Sequence, residues 1–383
     1  MVDARDGTVE SEELMAKYEK QGGEVAREKK EKKGGNKKRK KKRKDRQGED
    51  GGIGEYRLVG YEELPSYMKE NEFIRRYYRS QWPISHAFLS LFSWHNETIN
   101  VWTHLLGFLL FLGLTVKHLM DMPQVADLLG HLSWSISAKE AENASLNQGS
   151  FFSMALPLVT LDRFTANSGD APLDTAPRWP FLVFLAGSML CLLTSSLCHL
   201  LCCHSRRLNF LLVRLDYAGI AVMIAASFFP PISYAFLCAP RWGVLYLSAI
   251  SALAVLAVLS LLAPEATPGS RRAFRAMVFC ALGLSGIVPA VHIAAVNWAE
   301  ARRAKTMAWE AAMGLSYLVG TGFYVSRVPE RWRPGKFDVA GHSHQIFHVF
   351  VLAGAAAHYV AALLFMEWRD KVGCWANTEH IGG

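Results

Sequence analysis

Apolar residues gather into seven runs long enough to cross a bilayer, near 101–120, 180–201, 212–233, 243–263, 276–297, 308–325 and 346–366. A hydrocarbon core of about 30 Å takes about 20 helical residues. A helix is the form that satisfies its own backbone hydrogen bonds in lipid, so each run predicts a membrane-spanning helix. The runs include Pro230, Pro231 and Pro289, which membrane helices tolerate better than soluble ones. Ahead of the first run lies a juxtamembrane segment, 55–100. Within it Phe73, Ile74, Tyr77, Tyr78 and Trp82 interleave with Arg75, Arg76 and Arg79. That pattern predicts an amphipathic helix lying along the membrane surface. Residues 1–54 hold almost no large apolar groups and predict a disordered tail. The long connection 121–178 carries weak helical periodicity only around 126–137 and 151–161. The pattern as a whole predicts an all-α integral membrane protein with its spans within 101–370 and a short tail at 371–383.

Composition agrees and adds orientation. Of 383 residues, 51% are hydrophobic, and the net charge of +8 comes largely from the N-terminal tail, where Lys37–Lys44 are all basic. A solvated tail fits this run, and so does attachment to anionic lipid at about 1 kcal/mol per basic residue. Nucleic-acid binding is disfavoured, because the apolar runs hold the protein in a membrane and no aromatic residue interleaves with the basic ones. Basic residues favour the cytosolic side, so the tail places the N-terminus in the cytosol and seven spans place the C-terminus outside. Arg206, Arg207, Arg214, Arg271, Arg272, Arg275, Arg327, Arg331, Arg333 and Lys336 agree, whereas Arg302, Arg303 and Lys305 run against it. Asn143-Ala144-Ser145 then becomes a lumenal glycosylation acceptor. No apolar core segment within residues 1–50 suggests a cleavable signal peptide. The seven cysteines do not form a secreted disulfide framework. Cys238 and Cys374 both fall on the outer side and could pair, at a distance the sequence does not set.

The candidate chemistry begins at Gly341–Val351. A helix puts His344 and His348 on one face, at a spacing that can grip one metal ion. Both fall at the cytosolic end of the seventh run. The second run ends at the same depth with Ser195 and His199 one turn apart, and the third begins there with Asp216. Three imidazoles with one open position is the layout of a catalytic zinc site. Asp216 could take a proton from an activated water, and Ser195 could orient the water or an oxyanion. The competing reading is three histidines satisfied by hydrogen bonds inside a helical bundle. Cys198, Cys202 and Cys203 are rival ligands, read as packing or palmitoylation sites. His204 and His342 are expected to face the cytosol. Glu97, Asn100 and His104 share a helix face and are expected to dock the interfacial segment on the spans.

These strings resemble the progestin and adipoQ receptor family, and most closely its plant heptahelical branch. They are Trp94-His95-Asn96-Glu97-Thr98-Ile99-Asn100 through Gly107, the Ser195/His199 pair with Cys203-His204-Ser205, and Leu215-Asp216-Tyr217-Ala218-Gly219-Ile220. Pro329-Glu330-Arg331-Trp332-Arg333-Pro334-Gly335 through Asp338 and Ser343-His344-Gln345-Ile346-Phe347-His348 complete the set, which spans roughly 56–370. The resemblance implies a seven-helix barrel with a cytosolic N-terminus. It implies zinc on His199, His344 and His348, with Asp216 and Ser195 around the water at the metal. It also places the chain among membrane metal-dependent hydrolases, with adiponectin-receptor relatives linked to ceramide hydrolysis and plant members resembling signalling proteins in stress and hormone responses. Two functions are therefore expected to compete. One is zinc-dependent hydrolysis of a lipid amide drawn from the bilayer. The other is a non-enzymatic receptor with structural zinc, signalling to cytosolic proteins through residues 1–100. A channel is disfavoured by the scarcity of charges within the spans.

Overall fold

The computed structural model describes residues 56–122, 125, 176–262, 271–296, 300 and 302–374. The tail 1–54, the helical pieces expected in 126–137 and 151–161, and Asn143 lie outside the described residues. Ten α-helices are described: α1 (Ile84–Leu89), α2 (Thr98–Met120), α3 (Trp179–Leu201), α4 (Arg206–Ser227), α5 (Phe229–Ala235), α6 (Pro240–Leu262), α7 (Arg271–Leu284), α8 (Ile287–Val296), α9 (Arg303–Ser326) and α10 (Ser343–Val372). Described residues form no strand; one antiparallel bridge pairs Val59 with Tyr78.

Six stretches are long and apolar enough to cross a membrane: Thr98–Met120, Trp179–Leu201, Arg206–Ala235, Pro240–Leu262, Arg272–Val296 and Ser343–Val372. The chain is a multi-pass integral membrane protein. The seventh expected span is α9, a helix of 24 residues; Arg303, Lys305 and Glu310 dilute its apolar character. Two of the six stretches are broken within their length. Pro230 and Pro231 open α5 and cannot donate to the preceding turn, which separates it from α4. Gly286 divides α7 from α8, and a Cβ there would lie 2.9 Å from the Phe228 ring, so the two breaks pack against each other.

Neighbours in sequence are neighbours in space. α2 packs on α3, α3 on α4, α4 on α6, α6 on α7, α7 on α9 and α9 on α10, and α10 returns to α2. The ring is a closed helical barrel. Small residues set its tightest contacts. A Cβ on Gly187 of α3 would lie 2.5 Å from Ala226 Cβ of α4, and one on Gly354 of α10 would lie 2.5 Å from the Tyr317 ring of α9. At one end Cys238 and Cys374 form a disulfide. At the same end the buried Arg369 donates to the carbonyls of Tyr234 and Ala235 at the end of α5.

The opposite end is closed by residues 58–97 and 327–342, and here an expectation is overturned. Residues 64–82 are not an amphipathic helix. Two 3-10 turns, Tyr61–Glu63 and Ser66–Met68, are followed by irregular chain. Tyr77 and Gln81 adopt left-handed backbone angles (φ 66° and 57°), which end any helix. The backbone instead pairs at long range, with Val59 and Tyr78 exchanging two hydrogen bonds and Tyr61 N donating to Arg75 O. Leu64, Ile74 and Tyr78 are buried together as a small core. Gly335 N donates to Phe73 O, and Arg75 N donates to the Asp338 carboxylate. The Pro329–Asp338 loop is thus part of this cap.

Candidate metal centre

The cap fixes the two helix ends that carry the histidines. Arg79, 2% exposed, donates to the carbonyls of His199 (2.7 Å) and Leu200 (2.9 Å) at the end of α3. A helix C-terminus leaves such carbonyls unpartnered and partly negative, so a guanidinium suits them. Glu330, fully buried, meets the start of α10, where the Ser343 N–H donates to it at 2.7 Å and the Ser343 hydroxyl donates to its other oxygen. A carboxylate at a helix N-terminus is the complementary arrangement. Asn71 of the cap donates to the same carboxylate at 3.1 Å. His344 follows Ser343 directly.

His199, His344 and His348 converge, with one ligand nitrogen from each lying within 4.8 Å of the others. The Nε2 atoms of His199 and His344 are 3.2 Å apart. Four-coordinate metal with nitrogen at about 2.0–2.1 Å needs ligand atoms at about this separation. The remaining nitrogens are held from behind. His199 Nδ1 lies 2.8 Å from Glu97 Oε2, and His348 Nδ1 lies 3.3 Å from the Asn100 carbonyl. These contacts leave both Nε2 atoms free to bind, the usual outer arrangement of metal-binding histidine. Asn96 and Asn100 donate to the two Glu97 oxygens at 3.1 and 2.6 Å. The three histidines therefore fit a metal ion.

Asp216 and Ser195, expected beside the histidines, line the same cavity. Ser195 and Asp216 lie close enough for the hydroxyl to donate to the carboxylate. The cavity measures about 580 Å³ and runs from the histidines into the barrel as far as Ile293, Met307 and Phe365. From His344 to Phe365 along α10 is about 30 Å at 1.5 Å per residue, about the thickness of a hydrocarbon core.

Other expectations divide. Glu97 and Asn100 do not serve mainly to dock the cap; they hold His199 and His348. His104 stacks on His348 with centroids 3.7 Å apart. His342 does not face outward: it is 5% exposed, with Nε2 3.3 Å from the Asn96 carbonyl. His204 Nδ1 is bound at 2.8 Å to the Trp82 carbonyl. Cys198 and Cys203 are buried, as packing requires. Sequence reasoning passed over Glu97 as a metal-site residue. The usable signal was an acid opening the first span, where an ionisable group is costly and usually has a partner.

Residues 92–359 match the profile of the family described as Haemolysin-III related. The chain belongs to that family. Heptahelical transmembrane protein ADIPOR1 of Oryza sativa is 58% identical over 328 residues, covering 84% of this chain and 87% of the relative. Heptahelical transmembrane protein 1 of Arabidopsis thaliana is 49% identical over 318 residues, 83% of each chain. The Adiponectin receptor protein of Drosophila melanogaster is 34% identical over 306 residues, 79% of this chain and 58% of the relative. The matched family region begins at Phe92, just before the histidine-supporting Glu97, and ends at Tyr359, past His348.

His95 supplies a pH dependence. It is 1% exposed; its Nε2–H donates to the Ser90 carbonyl and its Nδ1 accepts from the Glu97 N–H. Burial, with Arg79 beside it, holds its pKa down to about 3. The folded protein keeps His95 neutral while the unfolded chain protonates below its ordinary pKa of about 6.5. Its contribution to stability is therefore present above that pH and lost as the pH falls from about 6.5 toward 3, by up to about 1.4 kcal/mol per pH unit. Thermal unfolding in detergent between neutral pH and pH 5 should show the decline, and His95→Gln should flatten it.

Proposed function

We propose that His199, His344 and His348 hold zinc and that the chain hydrolyses the amide of a ceramide-like lipid lying in the barrel. The observation that carries this reading is the meeting of three histidine nitrogens at the head of a long, largely apolar cavity. Zinc bound there would supply a Lewis acid and make a water acidic enough to ionise near neutral pH. Asp216 would accept a proton from the attacking water and return it to the leaving amine as the amide C–N bond breaks and a C–O bond forms. Ser195 fixes the Asp216 carboxylate through its hydroxyl. Glu97 holds the His199 ring in one tautomer and orientation. The walls below, among them Ile220, Met223 and Ile224, take the acyl chain and exclude water.

The proposed orientation has the histidine end and the N-terminus in the cytosol. The Cys238–Cys374 disulfide at the other end supports it, because disulfides persist in oxidising compartments. A second reading, favoured by the way the histidines tie α3 to α10 and, through Glu97, to α2, keeps zinc as a clamp. The chain would then act as a receptor, as the names of some relatives suggest, and reach cytosolic partners through residues 1–100.

Purified protein given ceramide decides between them. The hydrolase reading expects turnover that chelation abolishes and zinc restores. Stoichiometric zinc without turnover of any ceramide tested leaves the clamp. Glu97→Gln is expected to weaken zinc affinity by about 10–100-fold, measured by competition with a chelating dye; unchanged affinity would mean that Glu97 has another role.

A further inference from the structure

The cavity holds a second polar group far from the histidines. His358 of α10 is 1% exposed, and its Nδ1 lies 3.1 Å from Glu310 Oε2 of α9. Both residues line the cavity. Their outer atoms, His358 Nε2 and Glu310 Oε1, are buried and have no hydrogen-bond partner among the described residues. The Phe184 ring meets His358 edge-on at 4.6 Å, and the surrounding wall includes Met307, Ala311 and Gly314. Ionisable groups within a membrane span are costly, and buried polar atoms without partners call for an explanation.

We propose that the Glu310–His358 pair is a binding station for a hydroxyl group carried on the hydrocarbon chain of a lipid. His358 Nδ1–H donates to Glu310 Oε2, which leaves Glu310 Oε1 and His358 Nε2 as two acceptors at the cavity. A hydroxyl donates to one of them, which a plain hydrocarbon chain leaves unpaired. A carboxylate would be repelled by Glu310. The station lies ten residues from His348 on the same helix, about 15 Å along its axis, or half of the roughly 30 Å hydrocarbon core. A lipid whose carbonyl lies at the histidines therefore presents a hydroxyl near the far end of its acyl chain. That chain position rests on the proposed lipid binding at the histidine centre; the preference for a hydroxyl does not.

The test compares binding of palmitate and ω-hydroxypalmitate to the purified full-length protein in detergent. Wild type is expected to bind the hydroxylated chain about tenfold more tightly, the worth of a hydrogen bond to a charged group. The double variant Glu310→Leu/His358→Phe replaces a buried pair by apolar groups, a change proteins often tolerate. It is expected to bind palmitate as wild type does and to lose the preference. If it does not fold, His358→Phe alone, which keeps the contact with Phe184, is expected to cut the preference to about threefold or less. Affinities within about twofold in wild type would overturn the proposal and leave the pair holding a water only. A preference that survives the double variant, or His358→Phe where that stands in for it, overturns it as well. His199→Ala separates the two claims: a hydroxyl preference that persists there, with or without zinc in wild type, upholds the station independently of the metal centre.

Discussion

On the proposed hydrolase reading, Asp216→Asn is expected to lower ceramide turnover by about a hundred- to ten-thousand-fold, the usual worth of a positioned general base, and to leave the zinc content unchanged. Asparagine keeps the shape and can still meet the Ser195 hydroxyl, so the barrel and the histidines stay as they are. What is lost is the ability to accept a proton. A group that acts on the reacting atoms and not on the resting substrate lowers kcat and kcat/KM together when it is removed, and that is the expected result here. A rise in KM with kcat preserved would assign Asp216 to substrate binding instead. Loss of zinc in this variant would move it into the ligand set.

His199→Ala removes one of the three proposed ligands and is expected to empty the site, with zinc dropping from about one per chain to a trace. The Glu97 carboxylate keeps Asn96 and Asn100 as partners, so the variant should still fold. It should be less stable, because an ion bound only by the native state stabilises it by about 4 kcal/mol when present at a thousand times its dissociation constant. Metal analysis and thermal unfolding with and without chelator measure both effects. Chelation should destabilise wild type and leave His199→Ala unmoved. Undiminished zinc in the variant would remove His199 from the site.

The parts of this molecule legible from sequence are those set by local periodicity and span parity. His344 and His348 share a helix face wherever that helix lies, and His199 and Asp216 reach their depth because alternate spans run in opposite directions. The apolar runs marked most helix ends to within a few residues, and α9 is less apolar than the others through Glu310 and its many Gly, Ser, Thr and Tyr residues. The illegible parts depend on contacts between distant residues. Glu97 meets His199 across 102 positions, so its role as the support of a metal ligand appears only once α2 and α3 are side by side. Residues 64–82 carry a mixture of aromatic and basic groups that suits a surface helix, yet Tyr78 is spent on pairing with Val59 and Arg79 on the end of α3. His342 looked like a solvent-facing neighbour of the ligands, and only the folded cap of 58–97 buries it. Cys238 and Cys374 were a pair in search of a distance, and the closing of the barrel supplied it. Glu310 and His358 are 48 positions apart in sequence, and only the packing of α9 on α10 makes them a pair.

The central claim is that three histidine nitrogens hold a zinc ion at the head of the barrel. X-ray absorption at the zinc edge of the purified protein tests it most directly. The account predicts stoichiometric zinc with nitrogen and oxygen neighbours only, at about 2.0–2.1 Å. Absence of zinc, or sulfur neighbours at about 2.3 Å from cysteines such as Cys198 or Cys202, would contradict it.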